Sequence, residues 1–245
     1  MQKEDGAVNR SRDADSLHAA FGREGCPVCI VVLEAMQQSM DTWQYEGFTD
    51  VEHRHELIRL RGFCPLHTWQ LAQLNTAFQL ALVYSGVLPD VLAKLEQDAA
   101  RQGEPNRPSR WAIWRRRWSR RATVTYAEPT FDQCPFCRSR ASVEQRLIST
   151  LLEQLLSEET RTLMSQSTGL CLLHFSQARQ QAEEGDPVQL RYLLECQHVC
   201  IQRILEEIQE LLRKHDYRFG DEARGSEMTA WRRAAELCAG NPGVR

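Results

Sequence analysis

The chain has 245 residues, of which 42% are hydrophobic and 26% charged, and its formal net charge is −3 at pH 7. This composition excludes wholesale disorder, and the length permits one large domain or two small ones. Because the chain has no run of 18 apolar residues and no apolar signal-peptide core, the sequence predicts a cytoplasmic protein without a transmembrane segment.

The amino-terminal residues 1–22 are charged and lack apolar periodicity, which predicts a disordered tail. Residues 23–100 are expected to form a first metal-binding repeat of about four helices. The first helix follows Cys29, the second runs from Val51 to Leu60, the third starts at Cys64 and reaches Ser85-Gly86, and the fourth covers Val87 to Ala99.

Residues 101–130 form a basic linker. Eight arginines and one glutamate lie between Arg101 and Arg121, and three tryptophans share one helical face. This pattern is typical of a helix that packs its tryptophans on the protein body, lies at a membrane surface or binds nucleic-acid phosphates. The residues that would make the surface or nucleic-acid contact are Trp111, Trp114, Arg115, Arg116, Arg117, Trp118, Arg120 and Arg121.

Residues 131–215 repeat the order of the first repeat, and residues 216–245 form a carboxyl-terminal extension. The helices of the second repeat are expected to begin at Cys134, Ser157, Cys171 and Pro187, and the extension to end in a short helix that packs Trp231 and Leu237. Since no segment alternates for long with a period of two, we predict an all-α protein with two tandem homologous helical lobes.

Each repeat carries the same motif. Cys26-Pro27-Val28-Cys29 is followed 35 residues later by Cys64-Pro65-Leu66-His67, and Cys134-Pro135-Phe136-Cys137 is followed 34 residues after its last cysteine by Cys171-Leu172-Leu173-His174. Two ligands separated by two residues at a helix start project to the same side of the chain. Each tetrapeptide is therefore a metal half-site, and two half-sites complete a tetrahedron.

We predict one closed Cys3His site in each lobe, built from the two half-sites of one repeat, with two zinc ions per chain. The predicted ligands are Cys26, Cys29, Cys64 and His67 in the first lobe, and Cys134, Cys137, Cys171 and His174 in the second. An iron–sulfur cluster is the alternative cofactor, although such clusters usually have four thiolates. Thiol-disulfide exchange at the Cys-Pro-x-Cys sequences is a further alternative, although the βαβ pattern of such enzymes is missing.

Three of the nine cysteines lie outside these motifs. Cys196 and Cys200 are one helical turn apart, and Cys238 lies near the carboxyl end. In a reducing compartment disulfides are rare, so we expect all three to be small buried side chains.

Together with the cysteine motifs, Lys214-His215-Asp216-Tyr217-Arg218-Phe219 and Trp231-Arg232-Arg233-Ala234 resemble an uncharacterised family of bacterial cytosolic proteins. The resemblance runs from about residue 20 to 240 and implies a shared fold and shared motif residues. It implies no reaction, because the family has no established activity.

The sequence therefore favours a non-enzymatic, zinc-stabilised helical binding or regulatory module of unknown ligand and unknown partner, with a protein as one candidate partner. The alternative interpretations are an iron–sulfur or thiol-redox protein, and a nucleic-acid-binding protein that uses the linker.

Overall fold

The computed structural model describes residues 2–74, 76–103, 133–219 and 221–244, and within these ranges the side chains of residues 10–98 and of residue 133 onwards. All regular structure in these ranges is helical, which confirms the prediction of an all-α protein. The tryptophans and arginines predicted for surface or nucleic-acid contact, Trp111 to Arg121, lie outside the described residues.

The described ranges contain ten α-helices, short 3-10 turns and one π-helical turn. The helices are α1 (Gln2–Phe21), α2 (Pro27–Thr42), α3 (Val51–Leu60), α4 (Pro65–Gln73), α5 (Ala77–Gly103), α6 (Pro135–Gln154), α7 (Glu158–Gln166), α8 (Leu172–Glu183), α9 (Pro187–Lys214) and α10 (Ala230–Ala239). The π-helical turn is Trp43–Gly47, directly after α2.

Capping side chains fix three helix starts close to where the sequence predicts them. Asp50 before α3, Ser157 before α7 and Asp186 before α9 each accept a hydrogen bond from a backbone N–H of the first turn. These bonds satisfy donors that the helix itself leaves without partners. Short polar side chains of this kind are visible in the sequence, so these boundaries are predictable from it.

The chain forms two compact units that do not follow the two sequence repeats. Unit 1 comprises Met1–Gln38 and Ser139–Arg245, and unit 2 comprises Ser39–Arg138. Helices α2 and α6 supply residues to both units. Each unit therefore combines part of the first repeat with part of the second.

The core of unit 1 contains residues from α1, α2, α6, α7, α8 and α9. Leu17, Ala20 and Phe21 of α1 are buried in it, and Asp13 pairs with Arg146 of α6 at 2.5 Å. The prediction of a disordered tail up to residue 22 is therefore wrong for this helix. Leu17, Ala20 and Phe21 are few among the many polar residues of α1, so the average composition did not indicate a buried face.

The core of unit 2 is rich in aromatic side chains. Trp43, Phe48, Phe63 and Phe136 form a cluster in which the neighbouring ring centroids are 5.2–6.1 Å apart. Edge-to-face and offset contacts at such separations are the favoured geometries for aromatic rings. Helices α3, α4 and α5 supply further apolar residues to this core.

The boundary between α4 and α5 differs from the predicted boundary at Ser85-Gly86. Helix α4 ends at Gln73, and α5 continues unbroken through Ser85, Gly86 and Pro89. A Cβ atom on Gly86 would lie 2.4 Å from Cδ1 of Ile58 in α3. The glycine therefore permits close packing of α5 on α3 and does not end a helix.

The segment Ala77–Asp98 of α5 is the one candidate membrane span in the described residues, with a hydropathy of 1.3. One such segment is weak evidence for a membrane span, because length and composition alone select it.

At the carboxyl end, Leu237 of α10 is buried as predicted, whereas Trp231 is 61% exposed, contrary to prediction.

Candidate metal centres

The eight predicted metal ligands converge in two buried groups. The ligand atoms within each group lie within 4.8 Å of one another, and all eight side chains are at most 5% exposed. We call the group in unit 1 site A and the group in unit 2 site B. Site A consists of Cys26, Cys29, Cys171 and His174; site B consists of Cys64, His67, Cys134 and Cys137.

The prediction of two Cys3His groups is confirmed, but the predicted pairing of half-sites is wrong. Cys26 and Cys29 meet Cys171 and His174 of the other repeat, and they do not meet Cys64 and His67. The other two half-sites pair in the same crossed manner. Each site therefore joins one Cys-Pro-x-Cys sequence to the Cys-x-x-His sequence of the other repeat.

Core packing accounts for the crossed pairing. Val28 and Val32 of α2 belong to the same buried cluster as Leu147 and Leu151 of α6, and Cys171 lies in that cluster too. In unit 2, Cys64, Phe63 and Phe136 share a separate cluster. The two Cys-Pro-x-Cys half-sites can pair with the two Cys-x-x-His half-sites in two ways. The apolar faces that flank the half-sites select the crossed pairing.

The two Cys-x-x-His half-sites have the same local geometry. Cys64 precedes α4 with φ −63° and ψ 161°, and Cys171 precedes α8 with φ −65° and ψ 156°. The histidine then lies in the first helical turn, so its ring and the cysteine sulfur point to the same side. Gly62 and Gly169, with φ of +102° and +82°, place the chain before each cysteine in a conformation that L side chains rarely adopt.

In site A the imidazole Nδ1 faces the three sulfurs. His174 Nδ1 lies 3.5 Å from Cys26 Sγ, 3.3 Å from Cys29 Sγ and 3.3 Å from Cys171 Sγ. The Sγ atoms of Cys29 and Cys171 are 3.7 Å apart.

Site B repeats this arrangement. His67 Nδ1 lies 3.1 Å from Cys64 Sγ, 3.3 Å from Cys137 Sγ and 3.6 Å from Cys134 Sγ. The Sγ atoms of Cys64 and Cys137 are 3.5 Å apart. In both sites the histidine therefore presents the same ring nitrogen to the thiols.

These separations suit one four-coordinate ion in each group. Zinc bonds of about 2.3 Å to sulfur and about 2.0–2.1 Å to nitrogen would place tetrahedral ligands about 3.8 Å apart for two sulfurs and about 3.6 Å apart for sulfur and nitrogen. The observed contacts lie within about 0.5 Å of these values, and all the ligand atoms of a group lie within 4.8 Å of one another. Each group could therefore bind one metal ion without rearrangement of its elements.

Proton binding in site A reflects crowding of the thiols. Burial raises the pKa of Cys26 well above its ordinary value, whereas hydrogen bonds from Cys26 and Cys29 lower that of Cys171. Burial opposes protonation of His174, but hydrogen bonds to Cys171 and Cys29 and the nearby Glu144 carboxylate outweigh it and raise its pKa to about 11. A divalent cation would replace these protons and stabilise the thiolates, as metal binding to such groups requires.

In site B, burial raises the pKa of Cys64 and of Cys137, and the neighbouring Cys134 contributes to both shifts. Thiols in this environment remain protonated unless a cation is bound. The electrostatics of site B therefore also favour a bound cation over free thiolates.

The remaining cysteines only partly match the prediction. Cys196 and Cys200 are buried, and burial raises the pKa of both, to about 11 for Cys200. Cys238 is exposed, so its predicted burial is wrong. All nine cysteines, each of which lies in the described ranges, are free of disulfide bonds.

Sequence reasoning missed the residues that surround site A. Glu144 lies 3.6 Å from His174 Nε2, and Asn241 accepts a hydrogen bond from the Cys26 N–H. Glu144 and His174 are on different helices, and Asn241 is 215 residues from Cys26. No local spacing connects these residues, so no sequence pattern could have identified them.

A family model with the description "Family of unknown function (DUF6062)" matches residues 17–243. The matched range includes all eight candidate ligands of sites A and B. Neither the comparison with curated proteins nor the comparison with solved structures gives a match.

Proposed function

Because this chain belongs to the family of unknown function DUF6062, whose model covers residues 17–243, we propose its role from its own geometry: it is a non-enzymatic helical binding or regulatory module stabilised by one zinc ion in each unit. The observation that carries the proposal is the donor set of sites A and B. Three thiols and one imidazole converge in each, and all of them are buried.

A closed Cys3His shell favours a structural role for the metal. Catalytic zinc sites keep one coordination position for water or substrate, whereas structural sites use four protein ligands. Sites A and B each supply four protein ligands, so a bound ion would have no position for a substrate. We therefore assign the two ions to stability and not to chemistry.

The ligand separations favour zinc over an iron–sulfur cluster. In a [4Fe–4S] cluster each cysteine binds a different iron, and in a [2Fe–2S] cluster the four ligands are divided between two irons, so some ligand atoms lie further apart than they do around a single ion. In each group here all the ligand atoms lie within 4.8 Å of one another. Cys29 Sγ and Cys171 Sγ are 3.7 Å apart, a distance that suits two ligands of the same ion. The histidine in each group adds to this preference, because clusters usually have four thiolates.

Burial also disfavours thiol-redox chemistry. A reactive cysteine needs a stabilised thiolate and access to its oxidant or substrate. Cys26, Cys29, Cys134 and Cys137, the cysteines of the two Cys-Pro-x-Cys sequences, are at most 5% exposed. Free, reduced cysteines are typical of the cytoplasm, and we propose that compartment for the protein.

The exposed face of α5 supports a protein as the binding partner. Leu88, Leu92 and Leu95 are 49–63% exposed, and they are spaced by four and three residues, the repeat with which one helix packs on another. The nearby Asp90 and Glu96 are acidic and exposed, which would disfavour nucleic-acid phosphates on this face.

Metal analysis of the full chain, purified without chelators, tests the proposal. We expect a colourless protein with two zinc ions per chain. Removal of zinc should lower the unfolding temperature by roughly 8–16 °C per site, since an ion present at 1,000 times its Kd contributes about 4 kcal/mol, and each kcal/mol is worth about 2–4 °C in a protein of this size. Iron with absorbance near 400 nm, or an unfolding temperature unchanged by chelation, would overturn it.

A further inference from the structure

The carboxyl-terminal residues 240–244 lie against site A. The N–H of Cys26 donates a hydrogen bond of 3.2 Å to the Asn241 side chain. A Cβ atom on Gly240 would lie 3.6 Å from Cys29 Sγ and 3.8 Å from Cys171 Sγ. The backbone at Gly240 is therefore beside two of the three thiols.

Two glycines make this approach feasible. Gly240 has φ +81° and Gly25 has φ +106°, both in the region that L side chains rarely adopt. A Cβ atom on Gly25 would lie 2.5 Å from the Asn241 side-chain nitrogen, where there is no room for it. The chain before Cys26 and the chain after α10 are therefore shaped to fit one another.

A buried carboxylate lies on the opposite side of the His174 ring. Glu144, 7% exposed, places Oε1 at 3.6 Å from His174 Nε2, and Arg140 Nε is 3.5 Å from the same oxygen. Arg140 also donates a hydrogen bond to the carbonyl oxygen of Val244. Arg140 therefore links the carboxylate beside His174 to the carboxyl-terminal residues.

We propose that Glu144, Arg140 and Asn241 are positioning residues of site A, and that residues 240–244 close the site so that its ion exchanges slowly with solvent. This inference rests on the proposed function, since it concerns the ion that site A would bind. It adds which residues outside the ligand set hold the half-sites in place.

The geometry gives each positioning residue a separate task. The Glu144 carboxylate faces His174 Nε2 at 3.6 Å, so it attracts a proton on Nε2 while Nδ1 points to the thiols, and carboxylates next to metal-bound histidines commonly orient the ring in this way. Asn241 accepts the hydrogen bond from the Cys26 N–H, and the backbone at Gly240 lies against the sulfurs of Cys29 and Cys171. An ion leaving site A must displace these contacts.

Release of zinc from the loaded full-length protein to a chromophoric chelator tests the proposal. We expect one ion to leave slowly, and Glu144→Gln to accelerate that phase about 10–100-fold, the usual effect of losing an outer partner of a ligand. Asn241→Ala should accelerate the same phase. Glu153→Gln is the matched control, because Glu153 is an exposed carboxylate on the same helix.

Cadmium-113 NMR of the protein in which cadmium replaces zinc assigns the release phases to the two sites. Each site should give its own signal, and only the signal of site A should shift in Glu144→Gln. Glu144→Gln is nearly isosteric and Glu153 is exposed, and circular dichroism checks that each variant, Asn241→Ala included, is folded. If the parent, Glu144→Gln and Asn241→Ala each bind two ions and release them at equal rates, the inference is overturned. A parent protein that binds no metal would instead overturn the proposed function.

Discussion

His174 Nδ1 lies 3.3 Å from Cys29 Sγ, although 145 residues separate the two along the chain. The contact joins the Cys-Pro-x-Cys sequence of the first repeat to the Cys-x-x-His sequence of the second. A metal ion in site A would therefore fasten the amino-terminal part of unit 1 to its carboxyl-terminal part. Ion binding and folding of this unit are expected to be coupled.

Double substitutions test the crossed pairing by metal content. Cys29→Ser with Cys171→Ser removes two ligands from site A alone, so native mass spectrometry should find one ion retained. Cys29→Ser with Cys64→Ser removes one ligand from each site, so both ions should be lost or weakly held. Pairing within each repeat predicts the reverse result for the two variants.

Gly169 provides a test of backbone geometry next to a ligand. Its φ is +82°, and a Cβ atom there would lie 2.8 Å from the Cβ of Cys200. We expect Gly169→Ala to lower the free energy of unfolding by about 1–3 kcal/mol, measured by urea denaturation of the zinc-loaded protein.

Gly22→Ala is the control for this substitution. A Cβ atom on Gly22 would meet its nearest neighbour, the carbonyl oxygen of Ala19, at 3.8 Å, an ordinary contact. We expect a change of less than about 1 kcal/mol there. Equal effects of the two substitutions would contradict the assigned geometry at Gly169.

Phe136 links site B to the aromatic core of unit 2. Its ring is 5.2 Å from that of Phe63 and 5.4 Å from that of His67, and the side chain is 1% exposed. Phe136→Ala should therefore lower the free energy of unfolding by about 3–5 kcal/mol and weaken metal binding at site B. Tyr45→Ala, at a position 77% exposed, should change it by less than about 0.5 kcal/mol. A similar cost for both would show that the cluster is not packed as described.

Glu227 should contribute a pH-dependent part of the stability. Hydrogen bonds from Lys214, at 2.8 Å, and from the backbone lower its pKa from 4.5 to about 2. Because the folded pKa is the lower one, the contribution is fully present above pH 4.5 and is lost as the pH falls towards 2.

The measurement is the difference in unfolding free energy between the parent protein and Glu227→Gln. Both have the same metal ligands, so acid release of metal affects them alike, and their difference should shrink between pH 6 and pH 2. Glu195→Gln, which removes an exposed carboxylate 3.8 Å from Arg191, is the control, because an exposed ion pair contributes little to the free energy of unfolding. A difference that stays constant with pH would refute the assignment.

Local features of the fold were predictable because local residues determine them. Asp50, Ser157 and Asp186 cap helices, and the prolines after Cys26, Cys64 and Cys134 suit the first helical turn. The pair Ser85-Gly86 misled the prediction, because the role of Gly86 depends on its close approach to Ile58 of α3. The buried face of α1 also escaped notice, since Leu17 and Phe21 are few among polar residues.

The sequence by itself determined which eight side chains could bind metal and that they come as four half-sites, because a half-site depends on spacing over four residues. Only the tertiary structure decided that Cys29 meets His174 and that Cys64 meets Cys137. It also brought Glu144 and Asn241 to site A. The physical reason is that equivalent half-sites bind a metal ion equally well in either combination, so the burial of the apolar faces around them makes the choice.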